Sequence, residues 1–185
     1  FELAIAVALL CIKRPELLRG VDSTVFLGEL SLRGKLMPVR GALGMAITAA
    51  EKGFQNLILP SANARECECL EGIRVFPADT LQQVYNHLTG EKLLSHQRPI
   101  PYQLLMAKEP PIHDLKYVKG QKIARKALEA AAAGGHNLLM AGVPGSGKTM
   151  LARCLSGILP PLSYDEALET TLIHSAAGEL APDSG

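Results

Sequence analysis

Apolar positions along this chain come in short blocks, some at helical and some at extended spacing, and those blocks predict its elements. Residues 1–13 are apolar nearly all round, which predicts a core helix. It must end before Pro15, because the residue preceding a proline is pushed out of the α region. Thr24-Val-Phe-Leu-Gly-Glu-Leu30 alternates loosely and Leu36-Met-Pro-Val39 follows across Arg33-Gly34, the pattern of a β-hairpin. Ala42 to Lys52 is rich in helix formers and is followed by Gly53, a good residue just past a helix end. Asn56-Leu-Ile-Leu59 then predicts a short buried strand. Ser61 is placed to cap a helix running to Leu70, Ile73-Arg-Val-Phe76 predicts a further strand, and Asp79 with Gln82 has the spacing of a capping box opening a helix that ends near Gly90. Residues 1–90 therefore predict a mixed α/β unit.

From Glu91 to Lys116 the periodicity fails and prolines accumulate at positions 99, 101, 110 and 111, the composition of an extended connector. Residues 117–185 then form the second predicted domain. Its pattern is an Ala-rich helix from Lys122 to about Ala133, Gly134-Gly135, an apolar strand Asn137-Leu-Leu-Met-Ala141, a glycine-rich loop, and a helix from Lys148 to about Ile158. Pro160-Pro161 breaks the chain, and Ser163-Tyr-Asp-Glu166 is a capping box opening a helix towards His174.

Bulk composition narrows the classes without choosing a function. The chain has 185 residues, 48% of them hydrophobic and 20% charged, a globular profile. Nineteen basic residues against eighteen acidic ones leave a net charge of +1, so no overall field announces nucleic acid or an anionic membrane. The apolar opening is too short to cross a bilayer and has no basic region before it. Cys11, Cys67, Cys69 and Cys154 form no CxxC pair and have no histidine at metal spacing, which suits reduced thiols in a cytoplasmic protein. The Cys67 and Cys69 pair falls on the helix predicted to follow Ser61, where i and i+2 point to different faces. The chain opens inside an apolar run and stops in a polar stretch, so a piece of a longer protein is expected.

The chemistry lies at Gly142-Val143-Pro144-Gly145-Ser146-Gly147-Lys148-Thr149, which satisfies GxxxxGK[ST] between a predicted strand and a predicted helix. Glycines at 142, 145 and 147 let the backbone curl until its N–H groups face phosphate oxygens. Lys148 can then reach the β- and γ-phosphates and Thr149 can offer its hydroxyl to Mg²⁺. This pattern predicts binding of ATP with Mg²⁺. No catalytic residue is assigned.

These residues stand in a wider set: Val118-Lys-Gly-Gln121, Ala131-Ala-Ala-Gly-Gly-His-Asn-Leu-Leu139, Met150-Leu-Ala-Arg153, Gly157-Ile-Leu-Pro-Pro161 and Ile173-His-Ser175. Together they resemble the YifB/ComM family of magnesium-chelatase-like AAA+ ATPases. Phe26-Leu-Gly-Glu-Leu-Ser-Leu-Arg-Gly34 and Pro38-Val-Arg-Gly41 are similar to that family's leading domain, which has the ribosomal-S5-like fold shared with the Lon protease domain. The resemblance implies an α/β chain made of a partial S5-domain-2/Lon-like α+β domain (1–90), a Pro-rich linker (91–116) and the start of a P-loop AAA+ α/β domain (117–185). It further implies a homo-hexameric ring ATPase in the full-length protein, acting on DNA as a branch-migration helicase in DNA uptake and recombination. Val118 and Gln121 fall in the segment that lies near the adenine in AAA+ proteins. Two rivals remain open: a chelatase-type motor that inserts Mg²⁺ into a porphyrin, and a non-catalytic adaptor that uses ATP only to assemble.

Two departures restrict these expectations. In Lon-type proteases a Ser–Lys dyad does the work, but Leu43 stands at the position aligning with the lysine, and Phe1-Glu-Leu-Ala-Ile-Ala6, which aligns with the serine segment, has no hydroxyl. A nucleophile needs a hydroxyl or thiol beside a base, so no peptidase activity is expected. No apolar run ending in Asp-Glu follows Lys148, so the acidic residues that hold Mg²⁺ and orient water for hydrolysis are missing from this stretch.

Three further features read as structural. His136 is expected at a surface turn. His174 and Ser175 are expected after a helix, with side chains that diverge. Lys13, Arg14, Arg19, Arg33, Lys35 and Arg40 bias the first domain positive, but acids are interspersed and no exposed aromatic offers a stacking platform, which predicts a solvated mixed face.

Overall fold

The computed structural model describes residues 1–105 and 113–180, so Pro110 and Pro111 of the expected connector lie outside the described residues. The chain is a mixed α/β protein in two compact units. The first comprises Phe1–Tyr102 and Tyr164–Gly185, the second Gln103–Ser163.

The first unit is built on a three-stranded parallel sheet in the order β1–β4–β5, with β1 at Thr24–Phe26, β4 at Asn56–Pro60 and β5 at Arg74–Ala78. Its strands are buried on both faces, as parallel strands are, and successive residues alternate between two cores. Ile58 and Phe76 face one core, with Leu3, Val7 and Cys11 of α1 (Glu2–Lys13) and Val84 of α3 (Leu81–Thr89). Leu57, Leu59 and Val75 face the other, with Leu43, Ala46 and Ala49 of α2 (Ala42–Glu51).

Several predicted elements take a different form. The Thr24–Leu30 run is broken at Gly28, whose φ of +147° ends β1 and frees Glu29–Leu30 (β2) to pair antiparallel with Leu36–Met37 (β3). There is room for a side chain at Gly28 in ordinary contact with Pro60 and Leu3, so it is the positive φ that favours glycine; the hairpin is short and β1 belongs to the larger sheet. Helix α1 buries only its 3–7–11 stripe. Ile5, Leu9 and Ile12 are more than half exposed, because the sheet covers one side of the helix and nothing among the described residues covers the other. The helix expected from Ser61 to Leu70 is two 3-10 turns, Ser61–Asn63 and Arg65–Cys67, and Ser61 makes no side-chain cap.

The capping box of α3 is one residue later than its sequence spacing suggested. Thr80 is the cap, its hydroxyl accepting from the Gln83 N–H at 3.2 Å, while the Gln83 side chain accepts from the Thr80 N–H. Thr80→Ala is expected to cost about 1 kcal/mol, readable as a lower urea midpoint with an unchanged m value.

The stretch 91–102 is packed in the first unit. The Gln97 N–H donates to the Val75 carbonyl of β5 and the Ile100 N–H to that of Glu68. A short turn, α4 (Tyr102–Leu105), stands where the units change.

The second unit carries α5 (Lys122–Gly134) and α6 (Lys148–Cys154), continued by a 3-10 turn at Leu155–Gly157. Its core is Leu115, Val118, Leu128, Leu151 and Cys154. The predicted strand 137–141 is not part of a sheet: no strand lies beside it among the described residues, and Leu139 is almost fully exposed. Beyond Pro160-Pro161, α7 (Tyr164–Ala177) packs Leu168 and Leu172 against the α2 core of the first unit. His174 and Ser175 therefore lie within a helix rather than after one. The division at 1–90, 91–116 and 117–185 remains a proposal about domains, whereas the compact units take 91–102 and α7 with the first.

Among the described residues no helix is long and apolar enough to cross a membrane.

Candidate nucleotide site

The glycine-rich loop joins the extended 137–141 segment to α6, and its backbone conformation follows from its glycines. Gly145 and Gly147 have φ of +79° and +82°, values that residues with a Cβ rarely adopt, and Gly147 is the residue from which α6 starts. The Ser146 N–H turns back to the Val143 carbonyl at 3.3 Å, closing the bend.

Lys148 folds over this bend. Its ammonium donates to the Gly142 and Val143 carbonyls at 2.8 Å each and lies 3.2 Å from the Ser146 hydroxyl. Three oxygens thus hold a cation at the mouth of the loop. Gln121 reaches the same bend from α5, its side-chain amide donating to the Ser146 carbonyl at 2.8 Å. Gln121 is also the sole non-glycine residue with positive φ among the described residues, at +49°, a strained backbone of the kind that persists where neighbours over-determine it.

The other predicted site residues occupy two settings. Val143, Pro144 and Gly145 are exposed, and so is Thr149, whose hydroxyl makes no protein hydrogen bond among the described residues. Val118 is 5% exposed and packs in the core, its carbonyl accepting from the Arg125 guanidinium at 3.3 Å. Its side chain does not line the cavity beside the loop.

A cavity of about 850 Å³ brings together Gln121, Gly142, Val143, Ser146 and Lys148 with an apolar wall that includes Ile123 and Leu138. The glycine pattern pointed to the loop and the family resemblance to Gln121, but neither carried a signal for the wall. Ile123 and Leu138 read simply as helix and strand positions.

Leu43, expected at the position aligning with the protease lysine, lies in a polar-edged part of the core. Leu43 is fully buried, and its N–H donates to the Glu66 carboxylate at 3.4 Å. The same carboxylate accepts from the Ser175 hydroxyl at 2.5 Å and from the Asn63 amide at 2.6 Å. Ser175 is thus a buried tether of α7, while His174 is exposed and lies 3.1 Å from Glu179. The adjacent side chains diverge.

The two neighbouring cysteines differ in reactivity. Burial, reinforced by the Glu66 and Cys69 charges, pushes the Cys67 thiol up to about 12, so it stays protonated at neutral pH. Cys69 is half-buried; burial also raises its pKa, partly offset by a backbone hydrogen bond. A thiol reagent at pH 8 is expected to label Cys69 well before Cys67, as peptide mapping of labelled samples would read. Among the described residues no group of three His, Cys, Asp or Glu side chains could hold a metal.

Comparison with known proteins sets this loop in a family. Residues 114–184 match the family described as magnesium chelatase, subunit ChlI, and residues 1–63 match the one described as subunit ChlI of Mg-chelatase. The uncharacterized protein YifB of Salmonella typhimurium is 43% identical over 175 residues, covering 95% of this chain and 34% of the relative. The competence protein ComM of Haemophilus influenzae is 36% identical over 182 residues, again covering 95% of this chain and 34% of the relative. This chain belongs to the magnesium-chelatase-like YifB/ComM family. The uncharacterized protein Rv2897c of Mycobacterium tuberculosis matches all of it at 40% identity, over 36% of its own length. The chain thus spans about a third of the length of these curated relatives. The match to 114–184 includes α7 as well as the second unit, so the family signature runs across both compact units.

Proposed function

We propose that this YifB/ComM-family chain is the ATP·Mg²⁺-binding segment of a ring-forming AAA+ ATPase that acts on DNA, as a branch-migration motor in DNA uptake or recombination. The observation that carries the nucleotide part is the Lys148 ammonium held by the Gly142 and Val143 carbonyls at the mouth of a loop bent through two left-handed glycines. A cation held only by neutral oxygens gains more from an anion than from carbonyl dipoles, so incoming phosphate can draw it away. The loop N–H groups supply further donors to the same oxygens. Gln121 braces the bend from α5, and the apolar wall of the cavity suits a flat base.

Mg²⁺ would be held on this chain by Thr149, whose free hydroxyl fits such a role. One hydroxyl is a single ligand, so the ion fits only together with the nucleotide's own oxygens and water. When bound it would neutralise charge on the phosphates. The residues here bind and orient, and the acidic groups needed for hydrolysis are proposed to come from elsewhere in the full-length protein. The first unit is proposed to be an S5/Lon-like domain without peptidase activity, since buried Leu43 offers no base. DNA as the polymer rests on the resemblance to the YifB/ComM family, one relative of which is named competence protein ComM.

The test is ATP turnover by the full-length protein with and without branched DNA. DNA-stimulated, Lys148-dependent turnover is expected. Lys148-dependent turnover indifferent to DNA would move the reading to a chelatase-type motor, and nucleotide binding without turnover would move it to an adaptor.

A further inference from the structure

In the first unit the last turn of α1, the turn between β2 and β3 and the first turns of α3 meet around a groove of about 470 Å³, with Leu10, Arg33, Thr80, Gln82 and Tyr85 in its lining. The sequence offered no exposed aromatic here, yet the half-buried Tyr85 ring opens into this groove. The Arg14 guanidinium lies over that ring, its central carbon 5.6 Å from the ring centre. Arg33 is exposed on the rim, and Lys35, also exposed, is bridged through its backbone to Thr80. Leu32, beside Arg33, is fully exposed.

The acids on the neighbouring stretches are Glu16, Glu29 and Asp79, and none pairs with these cations: the ion pairs among the described residues are Lys116–Asp114 and His174–Glu179. Three exposed cations from two chain segments, Arg14 over the Tyr85 ring and Arg33 with Lys35 between β2 and β3, therefore stand at this groove without a carboxylate partner among the described residues.

We propose that this groove is a nucleic-acid contact surface, with Arg14, Arg33 and Lys35 on backbone phosphates and the Arg14–Tyr85 pair offering a flat face to a base. A guanidinium stacked on a ring keeps its edge donors free, and their planar fork matches a phosphate. A groove that combines cations with an aromatic face is how single strands are held with little sequence preference. An acidic peptide would use the cations and leave the ring idle. The inference shares its choice of polymer with the proposed function but needs none of its nucleotide chemistry.

Fluorescence anisotropy of a labelled oligothymidylate with the full chain, across a salt series, tests it. The Arg14→Ala/Arg33→Ala double variant is expected to bind about tenfold more weakly and to lower the magnitude of the log–log salt slope by about 1.4, the loss of two single-strand phosphate contacts. Arg33→Glu, at an exposed turn, is expected to weaken binding without touching the fold, and Lys52→Ala, just past the end of α2, to leave it unchanged. Absence of binding by the unaltered chain would overturn the proposal. So would an unchanged affinity in both arginine variants, or competition by polyglutamate as strong as by unlabelled oligonucleotide at equal charge. ATP binding measured on the same samples separates the two readings, since it reports on Lys148 whatever the groove does.

Discussion

Lys148→Ala is expected to abolish detectable ATP turnover in the full-length protein and to weaken nucleotide binding by the present chain about 10–10²-fold, the loss of one charge-assisted contact worth about 1.5–3 kcal/mol. The physical case rests on the contacts of the ammonium. It is held by two carbonyls and a hydroxyl and pairs with no carboxylate among the described residues, so its removal should cost the fold little. Titration with a fluorescent ATP analogue, beside a urea denaturation of the same variant, separates binding from folding. A loss of binding with an unchanged midpoint is the expected pair. Binding equal to that of the unaltered chain would show that the ammonium does not face the phosphates. Lys148→Arg refines the comparison: the charge remains but the planar head does not fit the space held by a compact ammonium, so only partial recovery is expected.

The second large effect is expected at Ile58. This residue is fully buried in the middle strand, paired in register with Phe26 on one side and Phe76 on the other. Ile58→Ala removes three carbons from the α1 side of the sheet and leaves a cavity between rigid strands that cannot close it. A loss of about 2–5 kcal/mol is expected, a large part of the roughly 5–15 kcal/mol that holds a typical domain. Denaturation followed by circular dichroism should show a lower midpoint, and Leu32→Ala, at a fully exposed apolar position, should show none. An Ile58→Ala midpoint within error of the parent would mean that the strand is not central.

What could be read from sequence depended on how local the cause was. Helix α2 and the strand after it were legible, because a run of helix formers closed by Gly53 and a four-residue apolar strand need no distant partner to be recognised. The end of α3 at Gly90, left-handed at φ +78°, was legible for the same reason. Its start was misplaced by one residue, since Thr80 and Gln83 fit the capping pattern as well as Asp79 and Gln82 do, and only the backbone bend at Thr80 selects between them. The Ser61–Leu70 stretch read as a helix by composition. Its backbone breaks into 3-10 turns, while Asn63 bonds both the N–H and the carbonyl of Val39 and so anchors the segment to a distant loop.

The bend of the glycine-rich loop was legible because its conformation is written in glycine spacing. Which residues line the cavity beside it was not, because Ile123 and Leu138 are brought together only by packing. The same holds for Val118, whose place in the core no motif states.

By itself the sequence determined the glycine-rich bend at 142–149 and most of the elements of the first unit, since glycine conformation, capping and short-range periodicity act within a few residues, and its motifs carried the resemblance to the family. Tertiary structure alone decided that α1 buries a single stripe, that β1 leaves the hairpin for the larger sheet, and that α7 is tethered through Ser175 to Glu66. It also decided that Arg33 and Tyr85, far apart in the chain, line one groove and that Arg14 lies over the Tyr85 ring. Each of these depends on which surfaces meet, a non-local balance of burial that no window of residues contains.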